Sequence, residues 1–240
     1  MDPMQIRAGL FGGTFNPVHL GHLRMAEEVR EAFGLDKIFF IPAANPPHKS
    51  DKDLAPAKDR YEMLQAAISE NPGFEISDAE LRRQGRSYTI DTVSQVSATL
   101  PEGARCFLIM GMDAFMEIHT WKDYHRLFDT IEVIVISRPQ GVLPGRDMNS
   151  HAGCQSRPAS SGSREKIAKV IFNCISAGYN YNMASCRFEH PEKKAVYWFE
   201  ATALDISASR IRSLAAQGKS IRYLVPGAAE GYIYQKGLYI

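Results

Sequence analysis

Short, nearly continuous apolar runs punctuate this chain, and between them apolar residues recur every three or four positions. The runs are Ile6–Phe11, Lys37–Pro42, Phe74–Ser77, Cys106–Met110, Ile131–Ser137 and Val196–Glu200. Runs of this length predict strands buried on both faces. Helical spacing fills His19–Phe33 (Leu20, Leu23, Ala26, Val29), Lys58–Glu70 (Tyr61, Leu64, Ala67, Ile68), Thr89–Leu100, Arg164–Ala177 and Ser207–Gln217. Gly34, Pro101 and Gly218 stand where helices stop. Strands alternating with helices predict an α/β fold: a doubly wound, mostly parallel sheet with helices on both faces. In such a sheet ligands bind at the carboxyl ends of the strands. The loops after the first, second, fourth and fifth strands then face one crevice.

Two stretches break the rhythm. Residues 140–163 are rich in Gly, Ser, Pro and Arg and poor in apolar residues, which predicts a flexible surface loop inserted in a single domain spanning 1–240. Gly178–His190 is irregular as well. No internal repeat and no domain boundary is visible in the 240 residues.

Charge narrows the function classes. Lys and Arg number 28 against 27 Asp and Glu, a formal net charge of +1. That balance argues against a nucleic-acid binder working through a strong basic field. No apolar run is long enough to span a bilayer, and the N-terminus lacks a signal-peptide pattern, so no membrane role and a cytoplasmic location are expected. The four cysteines, Cys106, Cys154, Cys174 and Cys186, form no CxxC pair and are expected to be reduced.

The chemistry concentrates in FGGTFNPVHLGH, residues 11–22, where the first strand gives way to the first helix. Such a corner aims backbone N–H groups and a positive helix end at one spot, which suits an anion. Gly12 and Gly13 are read as permitting a sharp bend and close approach of a phosphate. Pro17 suits a first helical turn. His19 and His22 are three apart, so on a helix they share a face and can donate to one bound group. An ordinary tight turn with two surface histidines, or a metal pair, remains an equally open reading of these residues; no Cys, Asp or Glu completes a zinc set.

A second element is DISASRIR, residues 205–212. Ser207 is a good N-cap, and Ser209 and Arg212 add a hydroxyl and a charge at the same helix start. A plain capped helix fits as well. Elsewhere PPHK ends the loop after the second strand at Lys49, SYTIDT places Tyr88 and Thr89 before a helix, and Gly111–Asp113 follows the fourth strand. A carboxylate there can accept from ribose hydroxyls or cap a short helix over Ala114–Ile118. Trp121 is a packing residue or a stacking platform for a flat ring. Arg138 closes the fifth strand in SRP.

The string GGTFNPVHLGH closely resembles the (H/T)xGH motif of the HxGH nucleotidyltransferase superfamily, in the longer form typical of nicotinate-mononucleotide adenylyltransferases. Asn16 replaces a frequent Asp and keeps a side chain able to cap a helix. DISASRIR resembles that family's ISSTxIR motif, with Ala208 and Ser209 in place of Ser and Thr. PPHK, SYTxxT, the tryptophan in HTWKDY, and SRP followed by Gln140 instead of Gly also resemble family stretches, in the same order. The likeness covers about four-fifths of the chain and fails over Gln140–Ala195.

The resemblance implies a Rossmann-like nucleotidyltransferase fold and a reaction: ATP plus nicotinate mononucleotide gives deamido-NAD and pyrophosphate, in NAD biosynthesis. It implies catalytic roles for His19, His22 and Arg212. ATP would be met by Gly12, Gly13, Thr14, Phe15, Gly111, Asp113, Ser207 and Ser209. The mononucleotide would be met by Lys49, Tyr88, Thr89, Trp121 and Arg138. Mg²⁺ would be held mainly by substrate phosphates, with no metal ligand from the chain. Nicotinamide mononucleotide or phosphopantetheine are alternative acceptors within the superfamily, and a non-catalytic nucleotide sensor is the alternative of another class. Assembly into a homo-oligomer stays open.

Overall fold

The computed structural model describes residues 5–45, 54–83, 85–137 and 161–240. The strands are β1 (Arg7–Gly13), β2 (Lys37–Pro42), β3 (Phe74–Ile76), β4 (Arg105–Gly111), β5 (Glu132–Ser137), β6 (Asn180–Asn182), β7 (Arg187–Glu189) and β8 (Val196–Glu200). The α-helices are α1 (Leu20–Ala32), α2 (Ala57–Ile68), α3 (Thr89–Ser97), α4 (Met112–Met116), α5 (Tyr124–Thr130), α6 (Ser161–Val170), α7 (Ala208–Ala216) and α8 (Gly227–Lys236).

All eight strands join one sheet in the order β3-β2-β1-β4-β5-β8-β7-β6. The pairings from β3 through β8 are parallel, and β6 and β7 add an antiparallel edge. The strand order reverses between β1 and β4, where ligands bind in open α/β sheets. The predicted doubly wound, mostly parallel sheet is therefore what forms. Its two faces carry separate apolar clusters. One holds Val18, Met25, Val29, Met63, Ile211 and Ile233; the other holds Ile90, Val93, Phe115, Leu127, Phe128 and Ile171. Parallel strands covered on both faces need apolar side chains pointing both ways, which is why these strands read as runs rather than alternations.

Four expectations change. The strand β1 does not stop at Phe11: it continues through Gly12 and Gly13, which pair with Ile41 and Pro42 of β2. Neither glycine makes the bend. That falls on Phe15, at φ +46°, and on the cis Asn16–Pro17 bond, so Pro17 precedes the helix instead of opening it. The region 178–190 hides the β6–β7 hairpin, whose three-residue strands are too short for periodicity to show. The helix foreseen over Arg164–Ala177 begins at Ser161 and widens into a π-helical turn at Ile171–Ile175, so residues 161–163 belong to α6 and not to a loop. Finally, Cys186 is disulfide-bonded, whereas Cys106 and Cys174 are free thiols. Pairing depends on Cα proximity in space, which sequence spacing does not report. The rest of the predicted loop, and Cys154, lie outside the described residues.

Candidate active site

The corner after β1 is packed from beneath. A Cβ on Gly13 would lie 2.8 Å from Cζ of Phe15, so glycine is what lets that ring fold back under the strand. Phe15 is 2% exposed and meets the edge of His22 at 5.2 Å between ring centroids. Its ring is a support within the core, and only its backbone is left to face a ligand.

His19 is the N-cap residue of α1, and His22 sits in the first turn. Their rings stack at 3.6 Å with 23° between planes. The His19 backbone N–H donates to Nδ1 of His22 at 3.3 Å. In neutral His22 an accepting Nδ1 puts the proton on Nε2, which is then the nitrogen able to donate. Gly21 makes room for this stack: a Cβ there would lie 3.1 Å from Nδ1 of His19 and 4.0 Å from Cβ of Ile206. The second contact shows how close the DISASRIR segment comes to α1.

A hydrogen bond joins the two motifs directly. Arg212 Nη1 donates to the Asn16 carbonyl at 2.8 Å, and its Nη2 reaches Ser209 Oγ at 3.5 Å. Ser207 caps α7, accepting from the Arg210 N–H at 3.2 Å. Residues almost two hundred positions apart thus converge on one corner. Asn16 does not cap α1, as the sequence suggested. Its Oδ1 accepts instead from the Ala55 N–H at 3.0 Å and from Tyr239 O–H at 2.7 Å, tying the corner to the lead-in of α2 and to the C-terminal segment. Burial pushes the Tyr239 hydroxyl pKa up, so this donor stays protonated.

Gly111 ends β4 and is the N-cap of α4, so Asp113 lies in the first helical turn and is not the cap itself. Both are exposed. Across the switch point, Tyr88 is the N-cap residue of α3 and Thr89 its first helical residue. Trp121 and Tyr88 are both half-buried against the second apolar cluster. Lys122 Nζ lies 4.6 Å above the Tyr88 ring and 3.3 Å from an Asp91 carboxylate oxygen, a bridge between α3 and the tryptophan segment that the sequence reading missed. Lys49 and Arg138 lie outside the described residues.

Sequence reasoning also overlooked Arg60, Glu80 and Tyr239. Arg60 was visible only as a polar position within a helical pattern, and nothing local marked it as buried.

A cytidylyltransferase-like family model matches residues 10–214, most of the chain and both motifs. The chain belongs to the cytidylyltransferase-like family. Among its relatives, a protein of Geobacter metallireducens named "Probable nicotinate-nucleotide adenylyltransferase" is 39% identical over 234 residues, covering 98% of each chain. One of the same name from Desulfatibacillum aliphaticivorans is 42% identical over 236 residues, covering 98% of this chain and 100% of that protein. In fold, the chain is similar to nicotinic acid mononucleotide adenylyltransferase of Plasmodium falciparum complexed with NaAD, at a TM-score of 0.66 and 15% identity over 98% of both chains. The same parasite enzyme complexed with APC gives a TM-score of 0.65 at 14% identity, again over 98% of both chains. These likenesses agree with the fold expected from the sequence.

Proposed function

We propose that this chain transfers the adenylyl group of ATP to nicotinate mononucleotide, giving deamido-NAD and pyrophosphate. The observation that carries the reading is the junction of the two motifs at the switch point, with Arg212 donating to the Asn16 carbonyl at 2.8 Å. The name borne by relatives at 39–42% identity over nearly the full chain supports the same acceptor.

In this mechanism an oxygen of the mononucleotide phosphate attacks the α-phosphorus of ATP. A P–O bond forms there as the bond to the β-phosphate oxygen breaks, and pyrophosphate leaves with that electron pair. The attacking oxygen is already anionic, so no protein base or covalent intermediate is required, and rate comes from alignment and charge stabilisation. His22 donates from Nε2 to the charge developing between the α- and β-phosphates, and the stacked His19 backs it. Gly12, Gly13, Thr14 and the Phe15 backbone receive ATP, while Gly111 and Asp113 lie at the strand end where its ribose would rest. Ser207, Ser209 and Arg212 hold the β- and γ-phosphates. Tyr88, Thr89 and Trp121 receive the pyridine ring, with Lys49 and Arg138 assigned to the mononucleotide side. Among the described residues no three His, Cys, Asp or Glu side chains converge, and the donors at the corner are imidazoles, hydroxyls and a guanidinium. Mg²⁺ fits this set as a companion of the phosphates, where it would neutralise their charge.

No helix among the described residues is long and apolar enough to cross a membrane. A cytoplasmic place of action belongs to the proposal.

The test is pyrophosphate release at saturating substrates for the unaltered chain and for His22→Ala, with nicotinate mononucleotide, nicotinamide mononucleotide and phosphopantetheine run in parallel. Loss of one well-placed donor costs about 10²- to 10³-fold in turnover. Near-normal turnover of the variant removes the role given to His22. Preference for phosphopantetheine overturns the assignments of Tyr88, Thr89 and Trp121.

A further inference from the structure

Among the described residues, Arg60 is the only Arg, Lys, Asp or Glu buried from solvent, at 0% exposure. It projects from the first turns of α2, and its guanidinium meets three backbone carbonyls: Ala55 from Nε at 3.0 Å, Thr14 from Nη1 at 2.8 Å and Ala44 from Nη2 at 3.1 Å. No carboxylate pairs with it within ion-pair distance among the described residues. Burial lowers its pKa, with the nearby Tyr239 and Glu80 pulling the other way. An apolar side chain would fill the same space without the desolvation cost of a cation, so packing alone does not account for it. What a guanidinium adds is a planar fork of donors with fixed directions.

The three carbonyls belong to segments that the reaction must keep in register. Thr14 lies in the corner assigned to ATP. Ala44 lies in the loop after β2, two residues past the strand, with the neighbouring Ala43 N–H bonded to the Gly13 carbonyl at 2.8 Å. The backbone of Ala44 is held from its other side as well: its N–H donates to Glu80 Oε2 at 3.3 Å. Glu80 Oε1 in turn accepts from Thr92 Oγ1 at 3.0 Å, and Thr92 is on α3, whose start carries Tyr88 and Thr89. A chain of hydrogen bonds therefore runs from the ATP corner through Arg60, the backbone of Ala44 and Glu80 to the helix that would hold the acceptor ring.

We propose that Arg60 and Glu80 are positioning residues that clamp the backbone of Ala44 between them, one at its carbonyl and one at its N–H, and so hold the two substrate half-sites in register for in-line attack. The proposal rests on the adenylyl-transfer reading. Neither residue touches a substrate; both act through Thr14, Ala44 and Thr92.

The experiment compares Arg60→Lys, Glu80→Gln and the double variant in the full chain. Kinetics use whichever of the three acceptors the unaltered chain adenylylates fastest, so a wrong acceptor sinks that assignment alone, whereas no turnover of any acceptor overturns both proposals. Assays run well below each variant's melting temperature, with ATP affinity measured separately by equilibrium binding. Lysine keeps the charge but cannot span three carbonyls. Misalignment on the ångström scale costs up to about 10²-fold, so a fall in kcat of about 10- to 10²-fold is expected, with ATP affinity changed less than about threefold. Because both residues hold the backbone of one residue, the double variant should be little worse than the poorer single one. A lowered melting temperature with unchanged kcat and KM would reduce the pair to a structural role and overturn the proposal. If Arg60→Lys fails to fold, Glu80→Gln decides by the same criterion.

Discussion

Gly21→Ala separates a helix effect from a site effect, because the two have opposite signs. Gly21 is buried within α1, and an added Cβ would sit 3.1 Å from Nδ1 and 3.2 Å from Cε1 of His19. Comfortable contact begins at roughly 3.5 Å, so the imidazole must retreat by about 0.4 Å. It has little room, being 3% exposed and stacked on His22 at 3.6 Å. Alanine in a helix gains about 0.5–1 kcal/mol over glycine, while overpacking a buried site costs about 1–3 kcal/mol. The balance is a net loss of about 1 kcal/mol, measurable as a lower urea midpoint at an unchanged slope. A 1 Å error near reacting atoms costs on the order of 10²-fold, so a shift of about 0.4 Å should lower kcat about fivefold. Pyrophosphate release at saturating ATP and acceptor reads that number directly. A variant that is more stable by about 0.5–1 kcal/mol and keeps its kcat would refute the reasoning, since helix propensity alone would then account for the result.

The remaining predictions concern the C-terminal anchor and alkaline pH. Tyr239→Phe removes the 2.7 Å donor to Asn16 Oδ1, which keeps its bond from the Ala55 N–H. A loss of about 1 kcal/mol is expected in chemical denaturation, and an unchanged midpoint would show that the bond contributes nothing net. Burial raises the pKa of both Tyr179, which donates to the Lys194 carbonyl at 2.7 Å, and Tyr239. A folded pKa above the unfolded value of about 10 means that the stabilisation is whole below that pH and is lost as pH rises through the folded value. Melting temperature should therefore fall steeply above pH about 10, and Tyr239→Phe should blunt the fall; parallel curves for the two proteins would contradict it.

Much of this molecule was legible in the sequence because strand burial and helix amphipathicity are written in local periodicity. The runs at 37–42 and 196–200 mark strands β2 and β8 to the residue, and Ser207 is the N-cap its type suggested. The parallel sheet followed from the alternation of elements, and the corner at 11–22 announced itself because glycines, a proline and two histidines at a strand end are a local pattern. Even so, the physical cause assigned to some of these residues was wrong. Gly12 and Gly13 continue β1, and the chain turns at Phe15 and the cis Asn16–Pro17 bond. Periodicity reports which residues are apolar and does not report which residue takes the turn.

What the sequence determined by itself was the kind of fold and the residue types offered to an anion at one strand end. Only the tertiary structure decided which distant residues meet there. Arg212 reaches Asn16 across 196 positions, and Tyr239 reaches the same residue across 223. Arg60 looks like one more polar residue in an amphipathic helix until folding buries it against the carbonyls of Thr14, Ala44 and Ala55. Periodicity reports which face of an element is covered. It is silent on which backbone groups wait there for a donor, because that depends on the relative placement of segments far apart in the chain.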